Sequence, residues 1–106
     1  MSFPTREQRG WALIVVGREV LNEFARRHAD IRSQLQAWLA EAEEAQWAVP
    51  DDIKRRYPTA SFLAGNRVVF NLKGRKYRMV VKISYEVRVV MVEKVGTHAE
   101  YSDWEL

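Results

Sequence analysis

The chain contains no cysteine. That removes disulfide cross-links and thiolate metal sites together, and a reducing, cytoplasmic setting fits best. Histidine is almost as scarce: with only His28 and His98, no His/Cys/Asp/Glu cluster has metal-ligand spacing. Long apolar runs are missing as well. The longest early one, Trp11 to Val16, has six residues, too few for a secretory signal or a membrane span. No serine or cysteine nucleophile constellation and no glycine-rich phosphate loop occurs, which sets aside the enzyme classes built on them. Neither a metal nor a small-molecule cofactor is expected.

What remains reads as one soluble domain. At 106 residues, 47% hydrophobic and 29% charged, the chain is globular rather than disordered and buries roughly two-thirds of its unfolded surface. The net charge of +3 hides an asymmetry. Residues 1–53 hold 6 basic and 9 acidic side chains, whereas residues 54–106 hold 11 and 5, so the halves balance at −3 and +6. From Lys54 to Lys94 the only acids are Glu86 and Glu93. Such a patch points to a polyanionic partner, nucleic acid before acidic lipid or protein. A merely solvated basic surface is the plainer alternative.

The most informative stretch is Gly65 to Ser84, GNRVVFNLKGRKYRMVVKIS. Two alternating runs flank Lys73-Gly74-Arg75-Lys76, the signature of a tight β-hairpin. A Gly74-Arg75 loop pairs Lys73 with Lys76, Asn71 with Arg78 and Arg67 with Lys82. Alternation then gathers Val68, Phe70, Leu72, Tyr77, Met79, Val81 and Ile83 on a core face. Arg67, Asn71, Lys73, Lys76, Arg78 and Lys82 fall on the other, with Val69 and Val80 among them. Like charges opposite one another are destabilising, so this cationic platform asks for an anionic ligand.

Around the hairpin the chain reads β-α-α-β-β-β, an α+β fold with two helices on one face of a mainly antiparallel sheet. Residues 1–10 have no apolar period and read as a flexible extension of a domain spanning 11–106. Trp11 to Val16 is a buried strand ended by Gly17. Arg18 to His28 is a helix with Val20, Leu21, Phe24 and Ala25 on its stripe, and His28 suits its C-terminal dipole end. Asp30 is the expected N-cap of a second helix with stripe Ile31, Leu35, Trp38, Leu39 and Ala42. Pro50 opens a short helical turn that carries Lys54, Arg55 and Arg56 and ends before Pro58. Val87 to Val95 is a strand whose alternation puts Val87, Val89, Met91 and Val95 on one side. Arg88, Val90, Val92 and Lys94 take the other. Gly96-Thr97 then releases the chain into a polar tail.

The run RVVFNLKGRKYRMVVKI, preceded by KRRYPTASF and followed by VGTHAEY, resembles the HigB family of bacterial toxin–antitoxin systems. The similarity runs from about Trp11 to Tyr101. It departs from the family at Gly74-Arg75-Lys76, where a second glycine or an asparagine is usual, and at Ser102, which separates Tyr101 from Asp103. The resemblance implies a RelE-like fold and a ribosome-dependent endoribonuclease acting on mRNA in the A site. It also implies a HigA-type helix-turn-helix antitoxin as partner. The alternative on the same scaffold is a non-catalytic toxin or RNA-binding protein, such as a ParE-like gyrase inhibitor.

Metal-free RNA cleavage uses the 2′-hydroxyl against the adjacent phosphate. It needs a base for that hydroxyl, an acid for the 5′-oxygen and cations for the phosphorane. His98 is the acid/base candidate near the basic region, because an imidazole suits proton transfer near neutrality, and a turn histidine is its bland counterpart. Tyr101 is suited to hydrogen-bond the phosphate, stack a base or act as the acid, or simply to anchor the C-terminus. Arg78 is the choice for bidentate contact with the scissile phosphate. Arg67, Lys73, Lys76 and Lys82 are expected along the RNA backbone, and Asn71 orients Arg78 or reads a base edge. Lys54, Arg55 and Arg56 fit backbone or ribosomal RNA contact.

Overall fold

The computed structural model describes residues 13–106. The expected extension at 1–10 and the start of the first strand at Trp11 lie outside the described residues. The elements are β1 (Ile14–Val16), α1 (Arg18–Arg27), a 3-10 turn (Ala29–Ile31), α2 (Arg32–Glu44), α3 (Pro50–Arg56), β2 (Ser61–Leu63), β3 (Arg67–Leu72), β4 (Tyr77–Ser84), β5 (Val89–Thr97) and α4 (His98–Ser102). The strands form one open sheet in the order β1-β5-β4-β3-β2. Among the described residues only the β1–β5 pairing is parallel. The fold is α+β, with β2 and α4 added to the order expected, and α3 is the short helical turn expected from Pro50.

The central hairpin has the expected register, Arg67 opposite Lys82 and Asn71 opposite Arg78. Its turn closes with the Lys76 N–H donating to the Lys73 carbonyl at 3.2 Å. Val68, Phe70, Leu72, Tyr77, Met79, Val81 and Ile83 are all buried in the main core with Leu21, Phe24 and Ala25 of α1. From α2, Leu35, Trp38 and Ala42 join them. Apolar stripes at helical spacing thus meet an alternating sheet face, and this burial is the dominant favourable contribution to folding. Around Phe70 the packing is aromatic: Trp38, Trp47 and Tyr57 lie at ring-centroid distances of 5.5, 6.3 and 5.0 Å.

Gly17 is required where β1 enters α1. It holds φ at +89°, and a Cβ there would come 2.5 Å from the Val92 carbonyl oxygen. Only glycine lets α1 start this close to β5. At α3, Pro50 occupies the first turn and the Asp52 carboxylate accepts from the Ala48 and Val49 N–H groups at 2.9 and 3.2 Å. These bonds hold the Asp52 carboxyl below its ordinary pKa. Ile53, fully buried, pins the helix to the core.

Two local expectations are corrected. Asp30 does not cap the second helix. It lies in the 3-10 turn, and its carboxylate accepts instead from Lys73, Lys76 and the Tyr77 hydroxyl. In β5 the alternation slips, because Val80 pairs with Lys94 but Val81 pairs with Val92, leaving Glu93 as a bulge. The extra residue brings Val95 to the same side as Val90 and Val92, and puts Lys94 with Met91 on the opposite face. A strict period of two cannot register that insertion.

Candidate functional site

The sheet face away from α1 and α2 carries a row of three residues across its centre: Asn71 on β3, Arg78 on β4 and Gly96 on β5. Arg78 is 8% exposed, the one charged residue among those buried in the described chain. Its Nη1 donates to the Arg75 carbonyl at 2.7 Å. Its guanidinium carbon lies 5.5 Å from the Tyr101 ring centroid. Among the described residues no carboxylate pairs with it. A buried guanidinium held by one carbonyl and an aromatic face retains donors and positive charge for an anion.

The roof over this row is α4. Thr97 caps it in a reciprocal box: its hydroxyl accepts from the Glu100 N–H at 3.2 Å, and the Glu100 carboxylate accepts from the Thr97 N–H at 2.9 Å. The Thr97 backbone bond, with Arg27 and His28 nearby, holds the Glu100 carboxyl below its usual range. Glu100 therefore serves as the cap of α4. His98 is the first residue of the helix, and its N–H donates to the Lys76 carbonyl at 3.1 Å. Its imidazole is exposed and makes no hydrogen bond among the described residues.

Gly96 is the floor. A Cβ there would sit 2.6 Å from the Trp104 indole, which packs where a side chain would stand. Trp104 meets Tyr101 edge-on at 5.8 Å, and the Lys94 ammonium lies 5.4 Å from the Trp104 centroid. The structure thus gathers Arg78, Tyr101, Trp104 and Lys94, with His98 on the helix above. Trp104, Lys94 and Gly96 had no part in the site inferred from sequence. The Thr97-x-x-Glu100 spacing was the one signal that α4 exists.

The other expected contacts separate into groups. Asn71 donates to the Thr59 carbonyl at 2.9 Å and so ties the Pro58-Thr59 turn to the sheet. Arg67 pairs with Glu93 at 2.8 Å across the same face. Lys82 is exposed there with no partner among the described residues. Lys73 and Lys76 do not extend the platform, because the turn breaks strand alternation and both ammonium groups reach Asp30, at 3.1 and 2.9 Å. On α3, Lys54 donates to the Ala60 carbonyl at 2.9 Å, Arg55 pairs with Asp52, and Arg56 pairs with Glu41. His28 stacks on Phe24 at 4.2 Å and belongs to the packing.

A family model for the HigB toxin, the RelE-like toxic component of a toxin–antitoxin system, matches residues 31–104. The chain belongs to the HigB toxin family. The match covers more than two-thirds of the chain and contains Arg78, His98, Tyr101 and Trp104. No curated protein matches the chain. As the toxic component of such a system, this HigB-family chain has an antitoxin as its partner. No described helix is long and apolar enough to cross a membrane.

Proposed function

We propose that this HigB-family toxin is an mRNA endoribonuclease acting in the ribosomal A site. The observation that carries the reading is Arg78, a buried guanidinium without a carboxylate partner among the described residues, beside the helix that bears His98 and Tyr101. In the proposed reaction the 2′-oxygen loses its proton to a base and attacks the adjacent phosphorus. The P–O5′ bond breaks and the departing 5′-oxygen receives a proton, leaving a 2′,3′-cyclic phosphate and a 5′-hydroxyl. Arg78 binds the phosphate and offsets the charge that grows on the phosphorane, in a site where desolvation strengthens the contact. His98 and Tyr101 carry the proton transfers, and Trp104 offers a face for base stacking. Lys82, Lys94, Arg67 and Asn71 follow the RNA along the sheet, and Lys54 and Arg55 contact its backbone or ribosomal RNA. The antitoxin is a HigA-type helix-turn-helix protein, and the setting is the cytoplasm.

Induced expression of wild type and His98→Ala, with growth recorded and mRNA 5′ ends mapped, tests this reading. Frame-dependent cuts within translated messages are expected for wild type and not for the folded variant. Arrested growth with intact mRNA overturns the nuclease and favours a protein target, as in a gyrase inhibitor. Cuts that persist in His98→Ala keep the nuclease and move proton transfer to Tyr101.

A further inference from the structure

The four-residue turn Lys73–Lys76 touches the proposed site twice through its main chain. The Arg75 carbonyl accepts from Arg78 Nη1 at 2.7 Å, and the Lys76 carbonyl accepts from the His98 N–H at 3.1 Å. The placement of both the guanidinium and the start of α4 therefore depends on where this turn stands. Left to itself it would be an unfavourable support. All four residues are exposed, and Lys73 holds φ at +50°, a region a lysine rarely adopts. An exposed hairpin tip of this kind is ordinarily among the first segments to open.

The turn is tethered from the helix-bearing face of the sheet, the face away from Arg78. The Asp30 carboxylate accepts from Lys76 Nζ at 2.9 Å, from Lys73 Nζ at 3.1 Å and from the Tyr77 hydroxyl at 2.8 Å. One turn of helix further on, Gln34 Oε1 accepts from the Lys73 N–H at 2.9 Å. A lone surface ion pair would be of little consequence. Here three donors converge on one carboxylate, one of them the hydroxyl of a tyrosine buried in the core, and a second side chain fixes the backbone itself. Neither Asp30 nor Gln34 has a hydrogen bond to Arg78, His98 or Tyr101. Ionisation of Asp30 is maintained far into acid by the same three donors.

We infer that Asp30 and Gln34 are positioning residues for the proposed RNA-cleavage site, acting through the Lys73–Lys76 turn to set Arg78 and His98. The inference rests on the nuclease reading for its consequence but not for its geometry. It assigns Lys73 and Lys76 to the architecture of the site rather than to RNA contact.

The test uses the full chain with Asp30→Ala, Gln34→Ala and a control, Ile83→Val, a core substitution at the far end of β4. Two readouts are compared. The first is hydrogen exchange of the His98 amide, together with the NMR signals of the Arg78 guanidinium. The second is single-turnover cleavage of mRNA on programmed ribosomes. Both tether variants are expected to speed His98 exchange and shift the Arg78 signals. They should slow cleavage at saturating toxin by about tenfold or more, with the half-saturating concentration changed by less than about twofold. Ile83→Val is expected to leave both readouts near wild type. Unchanged His98 exchange and Arg78 signals in the folded tether variants overturn the inference, as does an equal response in Ile83→Val. If Asp30→Ala does not fold, Gln34→Ala decides. If wild type itself does not cut mRNA, the nuclease reading falls, and the His98 and Arg78 spectra alone decide whether the tether positions them.

Discussion

A guanidinium removed from water among aliphatic strands carries a desolvation penalty that a carboxylate neighbour normally offsets. Arg78 has a carbonyl and a tyrosine face instead. The valines beside it on that face, Val69 and Val80, are buried and stand apart from the main core, so the surroundings suit an apolar side chain better than a cation. Arg78→Met keeps the length of the stem and removes the charge. It is expected to be as stable as wild type or more stable, by about 1 kcal/mol, while abolishing RNA cleavage. Urea denaturation alongside a cleavage assay checks this. A loss of several kcal/mol would make Arg78 a structural residue. Its outward direction was legible from alternation alone. Its burial was not, because the covering ring of Tyr101 comes from a segment more than twenty residues further along the chain.

Between elements, the contact with the clearest pH signature is the one joining the α1–α2 junction to the β3–β4 turn. Lys76, the Tyr77 hydroxyl and Lys73, in that order, hold the Asp30 carboxyl well below the usual carboxylate range. A depressed folded-state pKa means that the contribution is complete above the unfolded value of about 3.9 and is lost as pH falls from there towards the folded value. Wild type should therefore lose more stability than Asp30→Asn on acidification below about pH 4, and the two should run parallel above about pH 6. Urea melts across that range measure it. Equal acid limbs would show that Asp30 is not ionised against these donors. Part of the limb remains in the variant, since Asp52 and Glu100 are shifted the same way. Sequence pattern placed Asp30 as a helix cap because aspartate before an apolar stripe usually is one. Three donors from the β3–β4 hairpin, over forty residues away, outcompeted that local role.

Across the whole molecule, the acidic N-terminal half and basic C-terminal half partly neutralise each other. Glu41 takes Arg56 and Asp30 takes Lys73 and Lys76, while within the C-terminal half Glu93 takes Arg67. Lys82 and Lys94 keep no carboxylate partner among the described residues, and with Arg78 they lie on one sheet face. RNA binding should then depend on salt mainly through these groups. Lys82→Ala and Lys94→Ala are each expected to lower the slope of log K against log salt by about 0.7, the value for one phosphate contact on a single strand. Lys73→Ala should change it less, because its ammonium already holds Asp30. Filter-binding titrations over a salt series distinguish the three, and equal slopes for all would show that intramolecular pairing does not persist on RNA.

Local pattern determined the hairpin, its register, its core face and both helical stripes. These follow from periods of two and 3.6 residues and from which side chains leave water, and a short sequence window contains all of that information. The motif GTHAEY also carried its own capping box. Tertiary structure alone decided the rest: the bulge at Glu93 that returns Val95 to the core side, the diversion of Lys73 and Lys76 to Asp30, and the packing of Trp104 on Gly96. It likewise decided that Arg78 is sheltered beneath α4. Each depends on groups from different elements meeting at distances of a few ångströms. Charge and aromaticity show which residues can take part in such contacts, and only the fold selects which of them do.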